Sequence, residues 1–226
     1  MIKLNSRLLT VSECAREDVV LYDVGTDHAY LPVYLVQSGK TRRAVASDIS
    51  EGPISHARDI IAENGLSDKI ETILSNGLDR IALEYPCDVA VAGMGGDTII
   101  SIIDKKAGLR DERAHLLLQP MTKQYEVRKY LFENGFDVYD ERLAEDGGRI
   151  FQIICAEYIG KNRVVSDFEL MLGVRIEERY KKGGCPKDFL LNRYETLRTR
   201  LDGKAKAGLD AEFEREICER ITELLK

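Results

Sequence analysis

The sequence predicts an α/β fold with a largely parallel sheet, followed by a helical C-terminal segment. Short apolar runs alternate with helix-like segments over residues 1–135, and this alternation is typical of parallel strands connected by helices. Two alternating strands around a glycine turn come next, and amphipathic helical patterns alone follow residue 160. We therefore expect a Rossmann-like domain over residues 1–160 and a helical domain over residues 161–226.

The predicted strands are short runs rich in Val, Leu, Ile and Ala, as expected for strands covered on both faces. They span residues 19–24, 44–48, 88–93 and 115–120, with a weaker candidate at 70–74. Apolar residues at helical spacing lie between or before them. These helical patterns span residues 4–16, 53–64, 98–106 and 124–134. A glycine lies at or shortly after the end of each of the last three, where helices commonly stop.

The end of the predicted sheet differs from its beginning. Residues 136–143 and 150–156 both alternate apolar and polar side chains, and residues 145–148 form a turn with two glycines. This pattern predicts an antiparallel hairpin. A parallel sheet closed by such a hairpin is typical of class I methyltransferases, whereas dinucleotide-dependent dehydrogenases usually continue with another parallel unit.

Two apolar stripes in the C-terminal segment predict a coiled-coil-like helical hairpin. The stripes comprise Leu190, Tyr194, Leu197 and Leu201, then Leu209, Phe213, Ile217, Ile221 and Leu224, with Gly203 and Gly208 between them. Residues 161–208 have a net charge of +5, whereas residues 1–160 have −8. A basic segment can bind phosphate on an acidic protein, because the local potential decides binding. An ordinary solvated helical face is the alternative interpretation.

The basic side chains of this segment are the predicted contacts to a nucleic-acid backbone. They are Arg193, Arg198, Arg200, Lys204 and Lys206, beside Arg175, Arg179, Lys181, Lys182 and Lys187. If this face is only ordinary solvated surface, the alternative docking site for the nucleic acid is the basic group in the first domain, Lys40, Arg42 and Arg43.

Composition excludes several classes of protein. The chain is 44% hydrophobic and 32% charged with a net charge of −6, as in ordinary globular proteins. No apolar run approaches the roughly 20 residues of a membrane-spanning helix, and no signal peptide is evident. Five scattered cysteines and three histidines show no metal-ligand spacing, so we expect no metal, no disulfide framework and a cytoplasmic location.

The first predicted strand ends in a glycine turn that is suited to ligand binding. Gly25 follows Asp23 at the carboxyl end of the strand, where open α/β sheets bind ligands. The dinucleotide pattern G-x-G-x-x-G is absent, because Asp27 and Tyr30 occupy its later glycine positions; this argues against an NAD-dependent oxidoreductase. Asp23 and Asp27 would instead attract the ammonium or sulfonium group of S-adenosylmethionine. Helix capping is the alternative role for either aspartate.

Further candidates follow the next strands. Asp48 ends the second strand 23 residues after Gly25, a spacing typical of the acidic residue that binds ribose hydroxyls. Asn76 follows the weaker strand and is a candidate for the adenine amine. Gly93 and Gly95 flank Met94 after the next strand, leaving bare backbone beside a cofactor, although a simple tight loop is the alternative.

Together these residues resemble one family. The segments DVGTDHAYLPV at 23–33, AGMGG at 92–96 and LQPM at 118–121 are similar to the bacterial tRNA (adenine(22)-N1)-methyltransferases, as is the turn at 145–148. The resemblance covers residues 1–158 in order. Thr26 stands where the family often has serine, and residues 47–49 replace a segment in which Glu and Val are frequent.

The resemblance implies methyl transfer from S-adenosylmethionine to N1 of a tRNA adenine. It implies Asp27, His28 and Tyr30 as catalytic residues, with Asp27 stabilising the charged product and the two rings orienting or stacking on the base. The implied cofactor contacts are Asp23, Gly25, Thr26, His28, Leu31, Asp48, Ile49, Asn76, Gly77, Ala92, Gly93, Met94 and Gly95. His56 is expected to be a plain surface residue.

The expected partner is tRNA, with no membrane, no metal, and a monomer or weak dimer as the assembly. Two alternatives remain from the sequence. One is a non-catalytic RNA-binding protein that retains the cofactor fold, which would bind cofactor without methylating RNA. The other is a methyltransferase for a small molecule, although such enzymes usually carry a substrate lid beside the first or fifth strand.

Overall fold

The computed structural model describes all residues, 1–226, and divides the chain into two compact units. Unit 1 is Met1–Val164 and unit 2 is Val165–Lys226; the sequence places the boundary at 160/161. None of the helices is both long enough and apolar enough to cross a membrane.

Unit 1 contains a seven-stranded sheet in the order β3-β2-β1-β4-β5-β7-β6. The strands are β1 Val20–Val24, β2 Ala44–Asp48, β3 Ile70–Leu74, β4 Cys87–Gly95, β5 Ala114–Thr122, β6 Phe136–Asp146 and β7 Arg149–Tyr158. The first five are parallel, and β7 pairs antiparallel with both β5 and β6. All predicted strands, including the weaker candidate β3, and the terminal hairpin are confirmed.

Five helices and one 3-10 turn cover the sheet. They are α1 Ser6–Cys14, α2 Tyr30–Gln37, α3 Glu51–Glu63, α4 Gly96–Lys105, α5 Gln124–Glu133 and the turn Ala107–Leu109. The start of α1 is fixed by Asn5, whose side chain accepts a hydrogen bond from the Leu8 amide at 2.9 Å. Leu21, Val33, Ala46 and Ile61 belong to one continuous core. Because β1–β5 are parallel, their carboxyl ends meet at one edge of this core, which we call the carboxyl edge.

Unit 2 contains four helices where the sequence predicted two. They are α6 Asp167–Leu172, α7 Ile176–Lys181, α8 Lys187–Lys206 and α9 Glu212–Leu224. The sequence missed α6 and α7 because six residues are too few to establish a helical period.

The predicted long hairpin of unit 2 is confirmed as α8 and α9, with two corrections to its detail. Gly203 lies inside α8 rather than in the linker. Leu209 does not belong to the apolar stripe: it lies in the connection before α9 and is 62% exposed. The chain turns at Gly208, whose φ of +66° is open to glycine at little cost.

Candidate active site

A cavity opens at the carboxyl edge of the sheet beside the ends of β1–β4. Its volume is about 380 Å³, within the range of small-molecule sites. Six of the predicted cofactor contacts line it: Gly25, Asp48, Ile49, Asn76, Gly77 and Met94. The residues missed by the sequence lie mainly on α4, among them Thr98, Ser101 and Lys105. The sequence did not indicate a role for these residues in ligand binding, because the apolar pattern of α4 predicts only that the helix packs against the sheet.

Gly25 allows close approach at the centre of this edge. Its φ is +79°, and a Cβ at this position would collide with the Met94 side chain. The thioether of Met94 therefore packs directly over the bare backbone of the turn. Any larger residue at 25 would push Met94 out of the position in which it lines the cavity.

Asp48 is the last residue of β2, and Ile49 follows it. One carboxylate oxygen of Asp48 accepts a hydrogen bond from the Ser50 amide at 2.8 Å, and the other has no hydrogen bond within the protein. The side chain is half-buried, so its free oxygen is available to a ligand hydroxyl. Ile49 is 66% exposed, although most isoleucines of the unit are buried.

Asp23 is a buried carboxyl group just behind the cavity. Burial raises its pKa to about 6, because an ionised carboxylate is poorly solvated there; a hydrogen bond with Thr26 and the charge of Arg7 act in the opposite direction. The nearby charge of Asp48 raises the pKa further. A cation bound nearby would therefore stabilise the ionised form of this carboxyl group, which burial disfavours.

The loop between β1 and α2 is held by Thr26. Its hydroxyl oxygen accepts a hydrogen bond from the Ala29 amide at 3.0 Å, and Ala29 takes a left-handed conformation with φ of 53°. Asp27 does not cap α2, so that alternative role is wrong. The Asp27 side chain is 78% exposed and lies 3.3 Å from Nε2 of His28.

Three rings form a column beside this loop. The ring centroids of His28 and Tyr30 are 5.1 Å apart, and those of His28 and His56 are 5.4 Å apart, with interplanar angles of 25° and 14°. His56 is exposed, but it is more than a plain surface residue, because α3 brings it against His28. The sequence could not show this stacking, since it depends on how α3 packs beside the turn.

The remaining predicted contacts lie around the cavity without lining it. Leu31 is 2% exposed and packs in the core, which leaves only its backbone for a ligand. Ala92 is half-buried, and Gly93 and Gly95 lie along the end of β4. Gly95 approaches the Thr122 hydroxyl, so β4 and β5 converge at this point.

Arg7 and Gln119 are two further residues at this edge to which the sequence analysis assigned no role. Nη1 of Arg7 donates a 2.7 Å hydrogen bond to Oε1 of Gln119, and the same oxygen accepts from the Gly93 amide at 3.1 Å. Gln119 is fully buried. Its side-chain amide thereby connects α1 to the end of β4, and the Arg7–Gln119 contact joins residues 112 positions apart.

The whole chain resembles known methyltransferases. The Methyltransferase domain family matches residues 4–154. The tRNA (adenine(22)-N(1))-methyltransferase of Bacillus subtilis is 30% identical, over 77% of this chain and 74% of that protein. The chain belongs to this family. These matches confirm the resemblance that the sequence analysis based on the segments at 23–33, 92–96 and 118–121.

Solved structures of the family match both units. A putative tRNA (m1A22) methyltransferase from Streptococcus pneumoniae is 27% identical with a TM-score of 0.83 and full coverage of both chains. It has also been solved in complex with S-adenosyl-L-methionine. A Mycoplasma capricolum relative, 25% identical with a TM-score of 0.77, was solved with S-adenosyl-homocysteine; the match covers 98% of this chain and 96% of that one.

A cluster of thiols lies apart from the family's motifs. The ligand atoms of Cys14, Asp140 and Cys155 are within 4.8 Å of one another. Both carboxylate oxygens of Asp140 already accept hydrogen bonds, one from the Glu141 amide and one from Nε of Arg142. The cluster was invisible in the sequence, because these residues come from α1, β6 and β7.

Proposed function

We propose that this chain transfers the methyl group of S-adenosylmethionine to N1 of adenine 22 in tRNA. The observation that carries the proposal is the cavity at the carboxyl edge: Gly25, Asp48, Asn76 and Met94 converge on it from the ends of the four neighbouring strands β1–β4. A relative with the same overall structure binds S-adenosyl-L-methionine.

The cavity residues fit an adenosine-containing cofactor. The free oxygen of Asp48 can accept a ribose hydroxyl, and the exposed Asn76 can reach the adenine amine. Gly25 leaves room for the Met94 side chain, which lines the cavity against the backbone of the turn. Ile49 also lines the cavity and offers an exposed apolar surface to the base.

The reaction needs orientation more than proton transfer. When bound, S-adenosylmethionine supplies an electrophilic methyl group next to a sulfonium. Adenine N1 already has an in-plane lone pair, so no side chain must act as a base. Holding the reactants in line can contribute up to about 7–11 kcal/mol. Asp27, whose carboxylate is exposed, is placed to stabilise the positive charge that develops on the ring.

The adenine must leave its stacked position in tRNA before N1 becomes accessible. The ring column of Tyr30 and His28 provides aromatic surface for such an unstacked base, and stacking of this kind is sequence-tolerant. Tyr30 is 40% exposed, so its ring is open to an incoming base.

Unit 2 supplies basic side chains for the tRNA backbone, but they are not equivalent. Lys204 lies 2.8 Å from the buried Glu214, so it stabilises the α8–α9 hairpin. Arg198 pairs with Asp202 and Lys182 with Glu178. The exposed cations without an ion pair are the better candidates for phosphate contacts. They include Arg175, Lys181, Lys187, Arg200 and Lys206.

The direct test is transfer of a labelled methyl group. The protein is incubated with labelled S-adenosylmethionine and unmodified tRNA, and the product nucleoside and its position are mapped. We expect 1-methyladenosine at position 22 and no product in tRNA that carries guanine there. Cofactor binding without RNA methylation would identify the non-catalytic alternative, and label in another position would reassign the substrate.

The tRNA contact has its own test in the full-length protein. Arg200→Gln and Lys206→Gln should weaken binding to all tRNAs alike, and each should lower the slope of log affinity against log salt by roughly 0.7–0.9. Glu195→Gln, on the same helix and also exposed, is the matched control. Unchanged salt slopes in both basic variants would make this face ordinary solvated surface.

A further inference from the structure

We propose that Cys14 and Cys155 form a redox-sensitive pair: hydrogen peroxide oxidises Cys14, and Cys155 then closes a reversible disulfide. Cys14 is the last residue of α1, and Cys155 lies in β7. Neither residue lines the cavity at the carboxyl edge, so this modification site is independent of the proposed function.

The fold brings the two thiols together from segments far apart in the chain. Cys155 lies directly opposite Asp140 in the β6–β7 ladder, so their side chains share one face of the sheet. The helix α1 packs across β6 and β7 and ends at Cys14. The two sulfurs lie within 4.8 Å of each other, so forming the roughly 2 Å bond of a disulfide moves them together by less than about 3 Å.

Cys14 is the thiol that an oxidant from solvent meets first. It is half-buried at the margin of the core of unit 1, whereas Cys155 is fully buried within that core. The remaining cysteines, Cys87, Cys185 and Cys218, are buried, and burial raises the pKa of each of their thiols. A buried protonated thiol is inert towards oxidants.

The surroundings of Cys14 favour its thiolate. A hydrogen bond from the Cys155 thiol lowers the pKa of Cys14, and the guanidinium of Arg142 lowers it further, although burial and the carboxylates of Asp140 and Glu13 act in the opposite direction. The same hydrogen bond and burial raise the pKa of Cys155. Because the thiolate is the nucleophile, Cys14 attacks the oxidant and Cys155 is the resolving thiol.

The oxidation proceeds in two steps. The Cys14 thiolate attacks one oxygen of hydrogen peroxide, the O–O bond breaks, and a sulfenic acid forms as hydroxide leaves. Sγ of Cys155 then displaces the sulfenic hydroxyl, which takes up the Cys155 proton and leaves as water. The two sulfurs lose two electrons, and both peroxide oxygens end as water. In the second step Cys14 no longer carries the negative charge that opposes ionisation of Cys155.

The charges beside the pair favour oxidation over metal binding. Asp140 completes a cluster of three possible metal ligands, but structural zinc sites almost always have four. Both carboxylate oxygens of Asp140 already accept hydrogen bonds, from the Glu141 amide and from Nε of Arg142. The Arg142 guanidinium lies 3.0 Å from this carboxylate, where its positive charge repels a metal cation.

The full-length protein and hydrogen peroxide provide the test. After brief treatment and quenching with catalase, the number of thiols that react with N-ethylmaleimide in the unfolded protein should fall by two from five. Peptide mapping without reductant should show Cys14 joined to Cys155, and dithiothreitol should restore all thiols. The midpoint of denaturant unfolding should rise on oxidation, because a crosslink between distant segments restricts the unfolded chain.

Variants separate the roles of the two thiols. Cys155→Ala removes the resolving thiol, so the sulfenic acid of Cys14 should accumulate and react with dimedone. Arg142→Gln should slow the reaction of Cys14 with peroxide several-fold, because the thiolate loses a stabilising charge. Arg149→Gln, exposed at the start of β7, is the matched control and should react at the wild-type rate. Cys218→Ala, in unit 2, should still form the disulfide.

Three outcomes would overturn the proposal. In the wild-type protein, these are oxidation of another cysteine before Cys14, or a sulfinic acid at Cys14 without a crosslink. Both are measured without a variant, so they do not depend on the folding of one. The third is tight binding of zinc by the reduced protein that Cys14→Ala abolishes, since the cluster would then be a metal site.

Discussion

The two edges of the sheet differ in how completely their charged residues are paired. At the amino edge, where the strands begin, charges are paired: Arg42 with Asp18, Arg43 with Glu84, and Arg113 with Asp111. At the carboxyl edge, Arg7 has no carboxylate partner and Asp48 keeps an oxygen free of hydrogen bonds. Charged groups whose hydrogen-bonding atoms have no partner within the protein are available to bind a ligand.

This difference weighs against the alternative tRNA-binding region that the sequence suggested, Lys40, Arg42 and Arg43. Arg42 and Arg43 lie before β2, at the edge remote from the cavity, and both are in ion pairs. Nζ of Lys40 donates to the carbonyls of Ser12 and Glu13 at 2.8 and 3.0 Å. The three side chains therefore stabilise loops at the amino edge. A count of charges along the sequence could not show these contacts.

The largest effect is expected where a paired charge at the amino edge is broken. Asp88 is fully buried, and its carboxylate accepts from both the backbone amide and Nε of Arg16 at 2.6 and 2.7 Å. Arg16→Met leaves that charge uncompensated and should lower the free energy of unfolding by about 3–5 kcal/mol. Denaturant unfolding measures the loss. An unchanged midpoint would mean that the amino edge does not depend on its ion pairs.

The second effect concerns pH and the buried Asp23. Its pKa is raised to about 6, so the folded protein holds this proton more tightly than the unfolded chain. Its contribution to stability is thus present below pH 4 and lost as pH rises through 6, up to about 3 kcal/mol. In cofactor-free protein, Asp23→Asn should remove this part of the pH dependence. Parallel stability–pH curves for both proteins would contradict the burial of an ionisable group here.

The third effect tests the ribose contact at the carboxyl edge. Asp48→Ala should weaken S-adenosylmethionine binding by about 1–3 kcal/mol, because the ribose hydroxyls lose their acceptor. Isothermal calorimetry on the folded variant provides the measurement. Glu63→Ala, at the far end of α3, is the control and should bind normally. Wild-type affinity in Asp48→Ala would remove Asp48 from the site.

The fourth effect separates chemistry from binding. Asp27→Asn keeps the size of an exposed side chain but removes its charge, so single-turnover methyl transfer should fall by about tenfold or more. Cofactor affinity and the unfolding midpoint should not change. An unaffected rate would move the charge-stabilising role to another group, since Asp27 does not cap α2.

The smallest effect is expected from an exposed ion pair at the amino edge. Arg42 and Asp18 are both largely exposed, so Arg42→Met should change the free energy of unfolding by less than about 1 kcal/mol. It is the matched control for Arg16→Met, and methyl transfer should be unchanged in both folded proteins. A comparable loss in the two variants would show that burial is not what distinguishes these pairs.

The sequence predicted more of the fold than of the candidate site. The strands of unit 1 are consecutive apolar residues, and their parallel order follows from the helices between them. The cavity residues that were predicted lie at the ends of strands or just after them, as Gly25, Asp48 and Asn76 do. The α4 residues of the cavity and the stacking of His56 have no local sequence pattern that indicates them. The short helix α6 does begin with a capping box, Ser166 to Glu169, but six residues are too few to show a helical period.

The sequence alone determined the alternation of strands and helices, the closing hairpin, the glycine turn with acidic residues in place of further glycines, and the family. Each depends on residues that are neighbours in the chain or repeat at a fixed period. Tertiary packing determined which charges remain without partners. Arg7 reaches Gln119 across 112 positions, and Asp23 is buried in β1 between β2 and β4. Burial and pairing arise from distant segments coming together, so they are properties of the folded chain.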